Sequence, residues 1–365
     1  PEAPMWNIEK IRQGLKSNWN YIDGVMIKAV LQMYDVTKDE KYLKFADNFI
    51  DYRVHEDGTI DGYNIGEKNI DNVNAGKTLF ELYDLTGKEK YRKAIDLVYS
   101  QIEIMPRCNN EARSFWHKDI YPNQVWLDGM YMGQPFYLEY ETRYNDRKNY
   151  SDIFGQFKFV IENMRNPING LYFHAMDTSR EAFWCDKVTG LSQHSWLRAI
   201  GWYTMALIDT LDQVDNKDHK YDAECKMLED AFVELMDSML KYQDESGMWY
   251  QVVNYGGMDK NYLETSGSSI MAYALLKAVR LGYLSDDYAQ YAKKAIDGIC
   301  ERYLKTKEDG SLSLGGICLV AGLGGNGRRP GTYDYYMSEP IVEDDAKGVG
   351  PFLLAYTELL RYENK

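Results

Sequence analysis

Six times along this chain a short polar stretch carrying glycine opens an apolar run of helical period. The openings are Tyr21–Gly24, Asn72–Gly76, Trp126–Gly129, Ser195–Gly201, Glu264–Gly267 and Asp345–Gly348. A recurrence of about 50 to 80 residues is the mark of a repeat architecture. At 365 residues the chain exceeds the usual size of one hydrophobic core. Length alone therefore suggests two or three domains. A closed ring of repeats escapes that expectation, because each unit packs mostly on its neighbours. If the ring closes, the six polar openings converge on one mouth.

The repeat unit is visible in detail. Tyr34-Asp-Val-Thr-Lys-Asp-Glu-Lys-Tyr42 returns as Tyr83-Asp-Leu-Thr-Gly-Lys-Glu-Lys-Tyr91. In each copy Thr-x-x-Glu (Thr37 to Glu40, Thr86 to Glu89) has the capping-box pattern, so each Thr is expected to cap a second helix. Glu56-Asp-Gly58, Ile168-Asn-Gly170, Glu245-Ser-Gly247 and Glu308-Asp-Gly310 precede short extended pieces, with glycine supplying the positive φ of a turn. The unit is helix, tight turn, helix, turn and extended return.

Inner helices are predicted near 21–34, 72–86, 128–144, 195–212, 266–283 and 347–362. Outer ones are predicted near 39–54, 88–104, 148–165, 221–243 and 286–304. The run from Met5 to Leu15 is expected to supply the sixth outer helix. Twelve helices, six within six, make an all-α (α/α)6 barrel, a six-hairpin toroid. No Pro/Ser-rich linker interrupts it, so residues 1–365 are expected to form a single catalytic domain. An open helical solenoid is the other architecture this pattern allows.

The net charge of −14 repels phosphates and argues against nucleic acid. It leaves room for a small anionic ligand held by a local cluster at Lys118, Arg198 or Arg328-Arg329. The 31 tyrosines suit carbohydrate, since a ring offers an apolar face and a hydroxyl together. No apolar run is long enough for a membrane span. Five cysteines without a CxxC read as reduced thiols and point to the cytoplasm, or to the periplasm or outside if a signal segment has been removed. A monomer or weak homo-oligomer is expected.

Within the openings, Asp128 begins the third inner helix behind Trp126. Capping alone would explain an Asp there. Its neighbours argue for more. Asp71 opens the preceding inner helix, His117-Lys118 lies just upstream, and Trp126 and Trp196 flank equivalent openings where they could stack on sugar rings. Arg198 offers a bidentate partner for a carboxylate. The five histidines lack HExxH or comparable spacing, so no metal site is expected; His117 and His174 are read as hydrogen-bonders in the mouth. Gly322-Leu-Gly-Gly-Asn-Gly327 matches GxGxxG, but Arg328-Arg-Pro follows where a dinucleotide fold needs a helix. It is read as a flexible loop over the mouth. Glu264-Thr-Ser-Gly-Ser is read as a helix cap whose hydroxyls face the mouth.

At these residues the chain resembles the bacterial unsaturated rhamnogalacturonyl hydrolases, sisters of the unsaturated glucuronyl hydrolases. The matching segments, in family order, are Asn69-Ile-Asp71-Asn-Val-Asn, His117-Lys118, Gln124-Val-Trp126-Leu-Asp128-Gly, Gly170-Leu-Tyr-Phe-His174, Trp196-Leu-Arg198, Glu264-Thr-Ser-Gly and Lys347-Gly-Val-Gly350. The resemblance implies an (α/α)6 barrel, no metal or organic cofactor, and a small unsaturated oligosaccharide as partner. Pectin lyases leave a 4,5-unsaturated uronic acid at the non-reducing end, and the family hydrates that enol-ether double bond. By this resemblance Asp128 is the acid/base, Asp71 assists, and Tyr21, His117, Lys118, Trp126, His174, Trp196 and Arg198 line the site. An unsaturated glucuronyl hydrolase acting on another lyase product, and a conventional inverting glycosidase using Asp71 and Asp128, remain the alternatives.

Overall fold

A computed structural model describes residues 5–364. Its helices are α1 (Ile8–Gln13), α2 (Tyr21–Thr37), α3 (Glu40–Asp51), α4 (Lys77–Thr86), α5 (Glu89–Ile104), α6 (Leu127–Tyr144), α7 (Tyr150–Asn163), α8 (Leu197–Gln213), α9 (Asp222–Leu240), α10 (Thr265–Leu281), α11 (Ala289–Tyr303), α12 (Tyr333–Ser338) and α13 (Ala346–Glu363). The short strands are β1 (Gln124–Trp126), β2 (Ala175–Asp177), β3 (Leu304–Thr306), β4 (Leu312–Leu314), β5 (Ile317–Cys318) and β6 (Ile341–Val342). They pair antiparallel as β1–β2, β3–β4 and β5–β6.

The ring is closed. Going round, α2, the 3-10 turn Ile70–Gly76 that leads into α4, then α6, α8, α10 and α13 each pack on the next, and α13 returns to α2. Outside them α3, α5, α7, α9 and α11 each back their inner partner. Nearly the whole apolar content joins one continuous core between the layers. All six inner helices start at the same end, so their openings do share one mouth. Toward their other ends the interior carries paired charges, such as Lys277 with Asp209 at 2.9 Å and Asp212 at 2.8 Å.

Three local expectations are revised. The N-terminal run does not build a full sixth outer helix. α1 has only six residues. Trp6 before it stacks on Phe49 of α3 at 4.5 Å, and Glu9 reaches toward Lys347 at the start of α13, 3.9 Å away. The second inner helix begins as a 3-10 turn, Ile70–Gly76, before α4 takes over. Asp and Asn crowd this stretch and compete for backbone bonds; Asn74 Nδ2 donates to Tyr21 O at 3.0 Å.

Thr37 and Thr86 are not caps. They end the first helix of each hairpin, donating back to Met33 O at 2.7 Å and Leu82 O at 2.6 Å. Asp39 caps α3 instead, and the position before α5 is Lys88. What the repeated sequence preserves is a clasp across the turn: Tyr34 OH donates to Glu40 Oε1 at 3.3 Å, and Tyr83 OH to Glu89 Oε1 at 3.0 Å. The turn glycines behave as expected, with φ of 88°, 76°, 87° and 81° at Gly58, Gly170, Gly247 and Gly310.

Candidate active site

The mouth narrows to a cavity of about 180 Å³, lined by Tyr21, Asp71, His117, Lys118, Trp126, Asp128, Trp196 and Arg198 among others. Eight of the nine expected site residues thus meet there. The ninth, His174, is fully buried directly behind Asp128. A larger depression of about 550 Å³ lies on the outer face between residues 110–112 and α7. Of its charged residues Glu111, Lys158 and Glu162, the last two pair with each other at 3.7 Å, and it gathers no comparable set of titratable groups.

Asp128 sits in the first turn of α6, delivered by strand β1. Its register with β2, Trp126 opposite Ala175, sets His174 beside the start of the helix. Leu127 N donates to His174 O at 3.1 Å, and His174 Nε2 lies 3.2 Å from Asp128 Oδ2, off the line of a formed hydrogen bond. The other ring nitrogen, Nδ1, meets Tyr336 OH at 2.8 Å. When that hydroxyl donates, Nε2 carries the proton facing Asp128.

Asp71 is held differently. Lys118 Nζ approaches its Oδ2 at 2.8 Å, and His117 Nε2 its Oδ1 at 3.4 Å. Burial pushes its carboxyl up, but Lys118 and then His117 outweigh burial and hold it below the usual carboxylate range. Burial pulls His117 down to about 4, against the opposing charge of Asp71. His117 is therefore neutral near pH 7, and Lys118 is the cation that balances Asp71. The His117 ring lies against Gly129, where a Cβ would stand 3.0 Å from Nδ1, so any larger residue in the first turn of α6 would press on the ring. Burial raises the Tyr21 hydroxyl well above its ordinary value, against the pull of Arg198.

The tryptophans do less than expected as open platforms. Trp126 is 5% and Trp196 1% exposed. Trp126 is stacked by His117 at 4.6 Å and Tyr121 at 5.1 Å. Trp196 carries the Arg198 guanidinium at 4.8 Å and packs against His174 and Tyr336. Each offers a ligand only a rim; their rings brace the histidines and Arg198. Arg198 itself is 2% exposed and donates to Ser266 Oγ (3.1 Å), Cys318 O (2.6 Å) and Leu319 O (3.4 Å).

The Glu264 segment caps α10 as expected, but its hydroxyls turn inward. Ser266 Oγ donates to Glu264, Thr265 Oγ1 to Gly315 O, and Ser268 Oγ accepts from Trp249 N. The glycine-rich loop is packed rather than free. Leu323 joins a cluster with Tyr121, Trp126 and Trp184, and the loop places Arg329 in the cavity wall. Arg328 points elsewhere, over the ring of Phe183 at 5.0 Å. Sequence reasoning missed Tyr121, Trp202 and Tyr336, as well as Asn7 and Glu9 from the N-terminal segment. Tyr336 reaches His174 across 162 positions with no local signal. Among the described residues no cluster of three or more His, Cys, Asp or Glu side chains is arranged to hold a metal ion. Among them also no helix is long and apolar enough to cross a membrane.

A solved glycoside hydrolase of family 105 from C. acetobutylicum ATCC 824 is 44% identical, covering 98% of this chain and 97% of that one, with a TM-score of 0.90. The unsaturated rhamnogalacturonyl hydrolase YesR of Bacillus subtilis is 25% identical over 300 residues, 81% of this chain and 78% of YesR. A 24.9 kDa protein in the picA locus of Rhizobium radiobacter is 40% identical over 235 residues, 63% of this chain and 98% of that protein. The unsaturated glucuronyl hydrolase of Bacillus sp. GL1, at 14% identity and a TM-score of 0.68 over 96% of this chain and 88% of that one, shares the fold. With a toroid closed around one carboxylate-bearing mouth and a match over residues 4–363, the chain belongs to Glycosyl Hydrolase Family 88.

Proposed function

We propose that this glycoside hydrolase removes 4,5-unsaturated galacturonic acid from the non-reducing end of rhamnogalacturonan-derived oligosaccharides by hydrating the double bond. In this reading residues 1–365 are one catalytic domain, and the enzyme works in the cytoplasm, in keeping with five unpaired cysteines. The observation that carries the reading is the division of labour between two carboxyls in one cavity. Asp71 is committed to Lys118 and stays ionised, while Asp128 has a histidine at its back and, among the described residues, no lysine or arginine within 4 Å. That arrangement suits a reaction with one acid/base carboxyl. It suits an inverting glycosidase less well, which needs a free second carboxylate to activate water.

In the proposed reaction Asp128 gives its proton to C4 of the sugar. A water adds to C5, returning a proton to Asp128. The product is a hemiketal at C5. Its ring bond opens to a ketone, and C1, now a hemiacetal, collapses to an aldehyde and releases the partner sugar with its proton. His174, set by Tyr336, orients Asp128. Asp71 and Lys118 position substrate hydroxyls, and Tyr21, Trp126, Trp196 and Arg198 shape the walls with His117.

The test is the ultraviolet absorbance of an unsaturated galacturonyl-rhamnose disaccharide, whose conjugated enol ether loses its absorption on hydration. Wild type bleaches it, and Asp128→Asn lowers the rate by about 10²- to 10⁴-fold, the span a general acid/base contributes. Bleaching only of unsaturated glucuronyl substrates would move the enzyme to another lyase product. No bleaching of any unsaturated uronide would refute the reading.

A further inference from the structure

The glycine-rich loop between β5 and α12 is built around a guanidinium. A Cβ on Gly322 would fall 2.4 Å from Arg329 Nη1 and 2.7 Å from its Cζ, so the Arg329 head packs directly against Gly322 in space a side chain would fill. A Cβ on Gly325 would meet Tyr121 OH at 3.0 Å and Arg329 Nη2 at 3.3 Å. Residues 324 and 329 bond backbone to backbone in both directions, Gly324 N to Arg329 O at 2.9 Å and Arg329 N to Gly324 O at 3.1 Å. Arg329 Nε then donates to Gly324 O at 3.2 Å, and Nη2 to Tyr121 OH at 2.9 Å. Two edges of the fork are fixed; Nη1 has no partner among the described residues, and Arg329 lines the cavity.

The other cations of the mouth are engaged. Lys118 balances Asp71 at 2.8 Å, and Lys347 lies 3.1 Å from Asp345. Arg198 spends Nη1 and Nη2 on Ser266, Cys318 and Leu319. Arg329 has no carboxylate within 4 Å among the described residues; Glu339, which faces it, is bonded by Tyr335. A fixed guanidinium with an open edge is the arrangement that recognises a planar carboxylate.

Resting on the hydrolase reading above, we propose that Arg329, cradled by Gly322, Gly324 and Gly325 and steadied by Tyr121, binds the carboxylate of the uronic acid and makes the enzyme select a charged over an esterified sugar. The glycines that mimic a dinucleotide motif serve here to let a guanidinium approach the backbone.

The test compares unsaturated galacturonyl-rhamnose with its C6 methyl ester, by turnover in the wild-type background and by calorimetric binding in the Asp128→Asn background. Arg329→Met should lower kcat/KM and affinity for the acid by about 10- to 100-fold, the worth of a charge-assisted hydrogen bond, and leave the ester within about twofold. Gly322→Ala should reproduce that loss, Arg329→Lys should recover part of it, and Arg328→Met should change neither substrate. An equal loss for acid and ester, or no loss for the acid, overturns the proposal. An unchanged melting temperature in Arg329→Met separates lost recognition from lost folding. If wild type turns over neither compound, the hydration reading fails, and the binding comparison still decides whether Arg329 holds a carboxylate.

Discussion

Replacing Glu264 with Ala should cost about 3–5 kcal/mol. The side chain is fully buried and is one of the most heavily bonded in the mouth. Its Oε1 accepts from Ser266 N at 3.0 Å and Cys318 N at 3.0 Å, and its Oε2 from Gly267 N at 2.8 Å; Ser266 Oγ approaches both oxygens. As the cap of α10 alone it is worth about 1 kcal/mol. Cys318 N belongs to β5, far from α10 in sequence, and donates to Glu264. Each buried donor left bare costs about 1–3 kcal/mol, and Arg198 loses a compensating charge next to Ser266. The sum approaches the cost of breaking a buried ion pair. At about 2.1 cal/mol/K per residue the chain's unfolding entropy is about 0.8 kcal/mol/K, so the melting temperature should fall by about 4–6 °C. Scanning calorimetry reads this directly. Glu264→Gln keeps one acceptor and should lose about half as much. A fall below about 1 °C in the Ala variant would show that water replaces the carboxylate and that no buried donor is left bare.

Two further outcomes concern protons. His117, drawn down to about 4 by burial, binds fewer protons folded than unfolded between about pH 6.5 and 4. Stability should therefore drain away as pH falls through that window, by up to about 3 kcal/mol, and His117→Gln should flatten the melting-temperature profile there. In Lys118→Met, burial acts on Asp71 with its main counter-charge gone, so its carboxyl rises and the acid limb of kcat/KM moves to higher pH; an unmoved acid limb would mean that Asp71 carries no weight in turnover.

Much of this was legible because the signals are local. The Tyr34 and Tyr83 repeats, the turn glycines and the apolar period each report on a few neighbouring residues, and apart from the start of α4, delayed five residues by the 3-10 turn, the helix ends fall within about three residues of where the periodicity places them. The Trp-Leu-Asp-Gly and Trp-x-Arg openings were readable as a site because the ring brings helix starts together. What could not be read was contact at long range. Nothing near His174 announces Tyr336, and nothing in GxGxxG announces that a guanidinium occupies the space its glycines leave. The threonine caps failed for a subtler reason: Thr-x-x-Glu describes a capping box and a Tyr–Glu clasp equally well, and only the register of the turn decides between them.

The inner helices differ at their starts in a way that bears on function. Asn20 caps α2, accepting from Ile22 N at 2.9 Å; Asn69 caps the 3-10 turn, Glu264 caps α10 and Asp345 caps α13. Only α6 and α8, among the described inner helices that begin at the mouth, start on a tryptophan with no side-chain cap. Their first amides go to main-chain carbonyls, Leu127 N to His174 O and Leu197 N to Gln251 O. A side-chain cap at 126 or 196 would add about 1 kcal/mol, less than the roughly 3–5 kcal/mol lost with a buried indole ring. It would also place a side-chain oxygen over the positive end of a helix dipole. Those two ends carry Asp128 and Arg198 and open on the cavity without a capping side-chain oxygen between them and it. The two tryptophans hold these openings by packing, Trp126 on His117 and Tyr121 and Trp196 on His174 and Tyr336, and so fix the side chains around the cavity at the ends that no side-chain oxygen covers.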